Sequence, residues 1–367
     1  MSTATKLHNG QVELITGSEE FGKSFVSVLV KRSFTIVDGK ATRLEHDSKL
    51  RISDVYFDDG DPQTATIQHE SELTPNKLGT DVVLIGNVYA PQGKPTHQMS
   101  VEVSVAGKSK SLRVIGNRFA RHVPNGFPRF SEPVPFIEME LRYENAYGGK
   151  DDRSDKSLSF WYPRNDKGKG VVLGDTREVI EGLPLPNFED KDDLLTPERL
   201  VIGDPRRWPQ QPLPQGFGWR QKTWFPRCAL IGACPPFLDV GVVTMEERLG
   251  LLPKDYVALA RQFRLAPNLS SFGNGASLGM TFPFLHGNER IKLNGLTPDG
   301  LMEFQLPGQF PQISVDIGKG QENLQARLFS VTLCPDQGSM DMIWAGIKEI
   351  GDFRNWSTVK TLLPEVR

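Results

Sequence analysis

Met99-Ser100-Val101-Glu102-Val103-Ser104-Val105 alternates apolar and polar side chains without a break. Successive residues of a strand point to opposite faces, so this period of two predicts a half-buried strand. Gly107 then offers a turn, and the chain returns through Leu112 and Val114, which completes a predicted hairpin. The same signature recurs on both sides. Upstream, Val26, Val28, Val30, Phe34 and Ile36 alternate with Ser27, Lys31, Ser33 and Thr35, with Arg32 the one intruder, and Asp38-Gly39 closes a two-residue hairpin. Val82–Ile85 is apolar throughout and reads as a fully buried strand, with a turn of helix as the alternative for so short a run. Downstream, Ile137, Met139, Leu141 and Tyr143 alternate with Glu138, Glu140 and Arg142, predicting a sheet with one wet face. Ile291–Leu293, Met302–Leu306 after an Asp299-Gly300 turn, and Phe329–Leu333 facing Met340–Trp344 across Pro335–Gly338 add further strands. The fold class that follows is mainly β: antiparallel sheets, as a sandwich or a curved sheet, with long structured loops and few short helices.

Between about Gly148 and Gly218 the periodicity vanishes over far more chain than an ordinary connection uses. Trp161, Tyr162, Phe188, Trp208, Phe217 and Trp219 fall in this stretch, and disordered segments are poor in aromatics, so irregular but packed structure is expected. One helix is predicted after Pro253, where Tyr256, Leu259, Ala260 and Phe263 fall at helical spacing. We divide the chain into an N-terminal β region, 1–125, and a loop-rich region with a C-terminal β region, 126–367; one continuous domain is the alternative.

The 367 residues carry 43 Lys plus Arg against 45 Asp plus Glu, a formal charge of -2, with 38% apolar residues. That balance excludes disorder and fibre, and the absence of a basic stripe argues against nucleic acid as a partner. Cys228, Cys234 and Cys334 leave at least one thiol unpaired, which fits a reducing compartment. The N-terminus lacks the apolar run of a secretory signal, and the most apolar window, Cys228–Met245, is broken by Pro235, Pro236 and Asp239. A cytoplasmic protein without a membrane anchor is expected.

Catalytic signatures are sparse. The six histidines stand at no metal-ligand spacing, and no nucleophile elbow, zinc motif, Walker loop or dinucleotide fingerprint occurs, so we expect no metal and no cofactor. Asp58-Asp59-Gly60-Asp61 and the acidic residues around Lys191 lack the spacing of a calcium loop. Lys167-Gly168-Lys169-Gly170 has the makings of a phosphate nest but no strand-to-helix context, and reads better as a surface turn. The unusual residues are the Gly, Pro and aromatic clusters Tyr147-Gly148-Gly149, Gly182-Leu183-Pro184-Leu185-Pro186-Asn187 and Pro212-Leu213-Pro214-Gln215-Gly216-Phe217-Gly218-Trp219, which either set difficult backbone angles or present a rigid platform for a protein partner.

These clusters resemble a family of bacterial accessory proteins with a domain of unknown function, encoded beside the VgrG spike, PAAR-like tip and toxin effectors of type VI secretion systems. Glu72-Leu73-Thr74-Pro75 into Thr80–Gly86 and Tyr89-Ala90-Pro91 is similar to one block, and Glu140–Glu144 into Ala146-Tyr147-Gly148-Gly149 to a second. Pro163-Arg164-Asn165 with Gly168 and Gly170 resembles a third, with Asp166 where the family usually has proline. Gly182–Asn187 follows in order. Pro214-Gln215-Gly216-Phe217-Gly218, then Trp224, Pro226 and Arg227, resembles the most diagnostic block, with Trp219 in another proline position. Leu296–Gly300 and Trp344 continue the likeness.

The resemblance implies a non-enzymatic adaptor or chaperone that binds an effector toxin or its PAAR-like carrier and loads it onto VgrG. Recognition would use either a sheet edge or the aromatic loops. For the loops, Tyr147, Phe217, Trp219, Trp224 and Arg227 are the candidate anchors, with Arg164 beside them and Gly148, Gly149, Gly216 and Gly218 shaping the backbone. The rivals are a β-rich hydrolase, which needs converging carboxylates, and a carbohydrate-binding module, which needs exposed coplanar rings.

Overall fold

In the computed structural model, residues 5–8, 12–18, 24–155, 159–230, 273–316, 320–349 and 360–366 are described. The predicted helix after Pro253 and Cys234 lie outside them. A thirteen-stranded sheet dominates. Its main path runs Phe188–Glu189, Lys108–Ile115, Gln98–Val105, Arg290–Asn294, Leu301–Gln305, Lys40–Arg43, Ser24–Val37, Ser339–Glu349, Arg327–Cys334, Thr80–Leu84 and Thr281–Phe282. Thr5–His8 and Val12–Ser18 extend it alongside Ser24–Val37. The sheet is mixed rather than purely antiparallel: Arg327–Cys334 runs parallel to Thr80–Leu84, and Gln305 meets Lys40 in parallel. Strands from before residue 125 and after residue 290 alternate within it. Each α-helix among the described residues is a single turn of four residues, and none is long and apolar enough to cross a membrane.

Local chemistry explains the hairpins. Val105 pairs with Lys108 and Val37 with Lys40, leaving two-residue turns, Ala106-Gly107 and Asp38-Gly39, with positive φ at all four positions. That backbone matches the twist of the flanking strands, and Gly107 and Gly39 adopt it without a Cβ clash. Val101, Val103 and Val105 enter the core, as the alternation requires. Burying a side chain of this size contributes about 1.5–3 kcal/mol. Thr80–Leu84 is buried at every position, in keeping with its central apolar run.

Ser24–Val37 departs from the expectation of one wet face. Val26, Val28 and Val30 pack against Ile313 and Val315 of a three-stranded sheet. The opposite face is covered too: Leu29 meets Leu50, Phe329, Ile343 and Ala345, while Ser27, Lys31 and Ser33 are buried. The Lys31 ammonium is satisfied by Glu72 at 2.7 Å and Asp341 at 3.0 Å. The intruder Arg32 donates to the Lys31 carbonyl at 2.9 Å and pairs with Asp47 at 3.4 Å. The predicted strand over Ile137–Tyr143 shortens to Glu138–Glu140, after which Tyr143–Asn145 turns as a 3-10 helix.

The aperiodic stretch builds a second core beside the sheet. Tyr147, Tyr162, Val172, Ile180, Leu185, Leu200, Trp208 and Phe225 form it. Edge-to-face contacts link Tyr147 to Tyr162 at 5.1 Å, Tyr162 to Trp208 at 6.4 Å and Trp208 to Phe225 at 5.2 Å. Rings prefer this geometry because the positive edge of one meets the negative face of the next.

Candidate functional site

Two segments cross at the surface of the second core, 146–149 and 162–170. Asn165 ties the crossing. Its buried amide donates to the carbonyls of Tyr143 at 2.8 Å and Tyr147 at 3.2 Å, its Oδ1 accepts from the Lys167 N–H, and its own carbonyl accepts from the Gly149 N–H. Glycine is needed where the backbones touch: a Cβ on Gly148 would lie 2.1 Å from the Asn165 carbonyl oxygen, and one on Gly168 2.6 Å from that of Ala146. Tyr147-Gly148 then pairs in parallel with Lys169-Gly170.

This crossing forms one wall of an open cleft of about 1060 Å³. Leu183 and Pro184, the 221–224 segment and parts of 54–67 complete its lining. Three of the blocks that carry the family resemblance, 147–149, 163–170 and 182–187, therefore meet with Trp224 around one concavity. The ring of Trp161 is 53% exposed and belongs to the lining. Lys150, Lys167, Lys169 and Lys222 line the cleft against the carboxylates of Asp54 and Asp166. Asp166 is committed: Oδ1 accepts from Trp224 Nε1 at 2.8 Å and Oδ2 from Lys167 Nζ at 2.7 Å. Burial draws the Lys169 ammonium down to about 8, and its hydrogen bond is to the neutral Asn145 Oδ1 at 3.1 Å.

A second, much smaller cavity of about 20 Å³ lies between His69, Glu70, Glu72, Lys77 and Trp219. It has room for a water and no more. Burial, with Arg51 and Lys31 nearby, lowers the His69 imidazole to about 4 and keeps it neutral. Among the described residues no group of three or more His, Cys, Asp or Glu could hold a metal ion.

The candidate anchors require a correction. Tyr147, Phe217, Trp219, Trp224, Arg164 and Arg227 are all buried, so they form no exposed platform. Trp224 stacks edge-on against Tyr143 at 5.2 Å. Phe217 belongs to the sheet core, and Trp219 lies beneath the Lys77 ammonium at 5.0 Å. Arg164 lies over Trp208 at 4.7 Å and donates to the Trp208 carbonyl at 3.2 Å. Arg227 binds Glu70 and the Arg220 carbonyl, each at 2.5 Å. Gly216 supplies a carbonyl to Lys110 and Ser277, and Gly218 has open space around it. Of the named residues, Gly148, Gly149 and Trp224 reach the cleft.

Sequence reasoning passed over the residues that face it. Lys167–Gly170 was expected as a plain surface turn, yet Gly170 is buried and Lys169 half-buried. The signal was present in the two lysines, separated by a glycine, beside Trp161. Lys150 and Lys222 carry no local signal, because the fold alone brings them to the same concavity.

Fold and cleft define a mainly β protein with a loop-built second core and an open, lysine-bearing concavity. Residues 22–345 match the family described as "Uncharacterized protein conserved in bacteria (DUF2169)", and the chain belongs to that family. No curated protein and no solved structure matches the chain.

Proposed function

We propose that this protein is a binding adaptor, one that holds a type VI secretion effector or its PAAR-like carrier for loading onto VgrG. The observation that carries the reading is the convergence of the family-like blocks and Trp224 on a single open cleft. Their buried members fix its walls, and its exposed members are a tryptophan ring, a residue type enriched at interface hot spots, and lysines, which complement a partner of opposite charge. The buried motif residues then act as scaffold, holding a preformed surface that loses little freedom on association. The setting in type VI secretion rests on the resemblance of the quoted blocks. The test is co-expression with candidate VgrG, PAAR-like and effector proteins, followed by size-exclusion chromatography. Co-elution with one of them is expected; elution always alone would overturn the adaptor role.

A second reading draws on Trp161. An exposed indole beside polar groups also suits a sugar ring, as in a carbohydrate-binding module, and Asp54 with Asp166 supplies the two carboxylates that a hydrolase would require. The engagement of Asp166 by Trp224 and Lys167 weighs against the catalytic version. Retention on immobilised polysaccharide, abolished by Trp161→Ala, would favour the glycan reading.

A further inference from the structure

Charge in the cleft is not balanced. Four lysines line it against two aspartates, and the aspartates are already engaged. Asp166 is held by Trp224 and Lys167, and Asp54 accepts from the Ser71 N–H at 2.7 Å. The two exposed lysines are poorly served. Lys150, 59% exposed, has its carboxylate neighbour, Asp152, at 3.9 Å. Lys222, 50% exposed, has Glu70 at 3.4 Å and Asp54 at 4.0 Å, and Glu70 already binds Arg227 at 2.5 Å. Lys169 adds a desolvated ammonium whose bond is to a neutral oxygen. Exposed like charges lining one concavity repel one another and attract a ligand of opposite sign.

Shape narrows the ligand further. About 1060 Å³ meets the upper end of what a small-molecule site needs, and this cleft is open rather than enclosed. The backbone of Gly148, Gly149, Gly168 and Gly170 forms part of one wall between Lys150, Lys167 and Lys169, and an open cleft of this size takes an extended segment lying along it. Trp161 offers a ring for an apolar or aromatic side chain, and Ile67 and Leu183 add apolar surface.

We propose that the cleft binds an acidic, extended segment of a protein partner, with Asp or Glu side chains on Lys150 and Lys222 and an apolar side chain on Trp161. The proposal deepens the adaptor reading and rests on it for the identity of the partner as a protein. Acidic segments bound this way associate quickly at low salt and lose affinity as salt screens the lysines.

The probe is a fluorescein-labelled peptide of alternating Glu and Leu, compared with Gln-Leu and Lys-Leu versions and with polygalacturonate, using the full chain. Fluorescence polarisation is read at about 0.05 M and about 0.5 M salt. The Glu peptide is expected to bind tightest and to weaken with salt, and Trp161→Phe to remove the accompanying change in tryptophan emission. Lys150→Glu with Lys222→Glu is expected to lower its affinity by about tenfold or more and to favour the Lys peptide. Lys150→Glu alone gives a smaller loss, and thermal melts of both variants check that the fold is kept. Equal binding of Glu and Gln peptides, an unchanged affinity in well-folded variants, or binding of polygalacturonate in place of the peptide each overturns the inference. The two readings separate in co-expression. If the double variant still co-elutes with the partner that the parent protein binds, the cleft inference falls and the adaptor stands. If the parent protein binds the Glu peptide but co-elutes with no partner, the adaptor reading falls instead.

Discussion

The large sheet and the loop-built core bury comparable kinds of side chain but satisfy their backbones differently. In the sheet, ladders between strands pair the N–H and C=O groups, so side chains are left to pack. In the second core ladders are only two residues long, and buried polar side chains take their place. Asp151 accepts from the N–H groups of Arg153, Ser154 and Leu173, at 2.9, 3.0 and 2.7 Å. Asn187 donates to the Ile115 carbonyl at 2.8 Å, and Asn165 and Arg164 serve the carbonyls described above. A polar or aromatic residue in irregular chain therefore has a structural task that, in sequence, looks the same as a binding task.

The strongest way to break the comparison is Gly148→Val. The added side chain must displace the Asn165 carbonyl, so we expect a loss of about 4 kcal/mol or more. Hydrogen exchange should show protection lost across 146–225 while Ser24–Val37 and Ser339–Glu349 stay protected. Uniform loss would mean that the two cores are one cooperative unit.

Next in size is Lys31→Ala within the sheet. It removes the buried ammonium from Glu72 and Asp341 and leaves Arg51, at 2.6 Å and 3.4 Å, as their remaining cation, a change worth about 1–3 kcal/mol in urea unfolding. An effect under about 1 kcal/mol would show that water reaches this face.

The smallest effect is on acid stability. Burial alone would raise the Asp81 carboxyl, but the Lys77 ammonium at 2.7 Å, the Gly275 N–H and the Asn274 amide outweigh it and hold the carboxyl below its ordinary value. A lowered folded pKa contributes stability that is complete above the unfolded value, near ~3.9, and is lost as pH falls through the folded one. Asp81→Asn should therefore flatten the fall in stability below about pH 4. Parallel pH curves for the two proteins would remove Asp81 from the account.

Legibility divides along the same line. The period of two found several strands, with Gln98–Val105, Lys108–Ile115, Arg327–Cys334 and Ser339–Glu349 all lying where alternation placed them, but it passed over Pro311–Asp316, whose buried Ile313 and Val315 also alternate with polar residues. Ser24–Val37 was found but misread on one face, since Lys31 and Ser33 look wet until Glu72 and Asp341 arrive from distant chain. The short pairing of Tyr147-Gly148 with Lys169-Gly170 has no period at all. In the site, aromatic and arginine residues were chosen for their chemistry, and that chemistry turned out to be spent inside. Trp161 and Trp208 differ in exposure by a wide margin, yet nothing local to either in the sequence tells them apart.

Ser24–Val37 takes Ser339–Glu349 as its neighbour on one side, from near the opposite end of the chain. A ribosome adding about 5–20 residues per second needs on the order of tens of seconds to deliver that neighbour after Ser24–Val37 has emerged. Through this interval the nascent chain displays a long, unpaired strand edge rich in valine, the kind of surface on which chains join one another. The yield of folded protein is then set by a race between translation and aggregation, and slower synthesis or an interrupted C-terminal region lengthens the exposure.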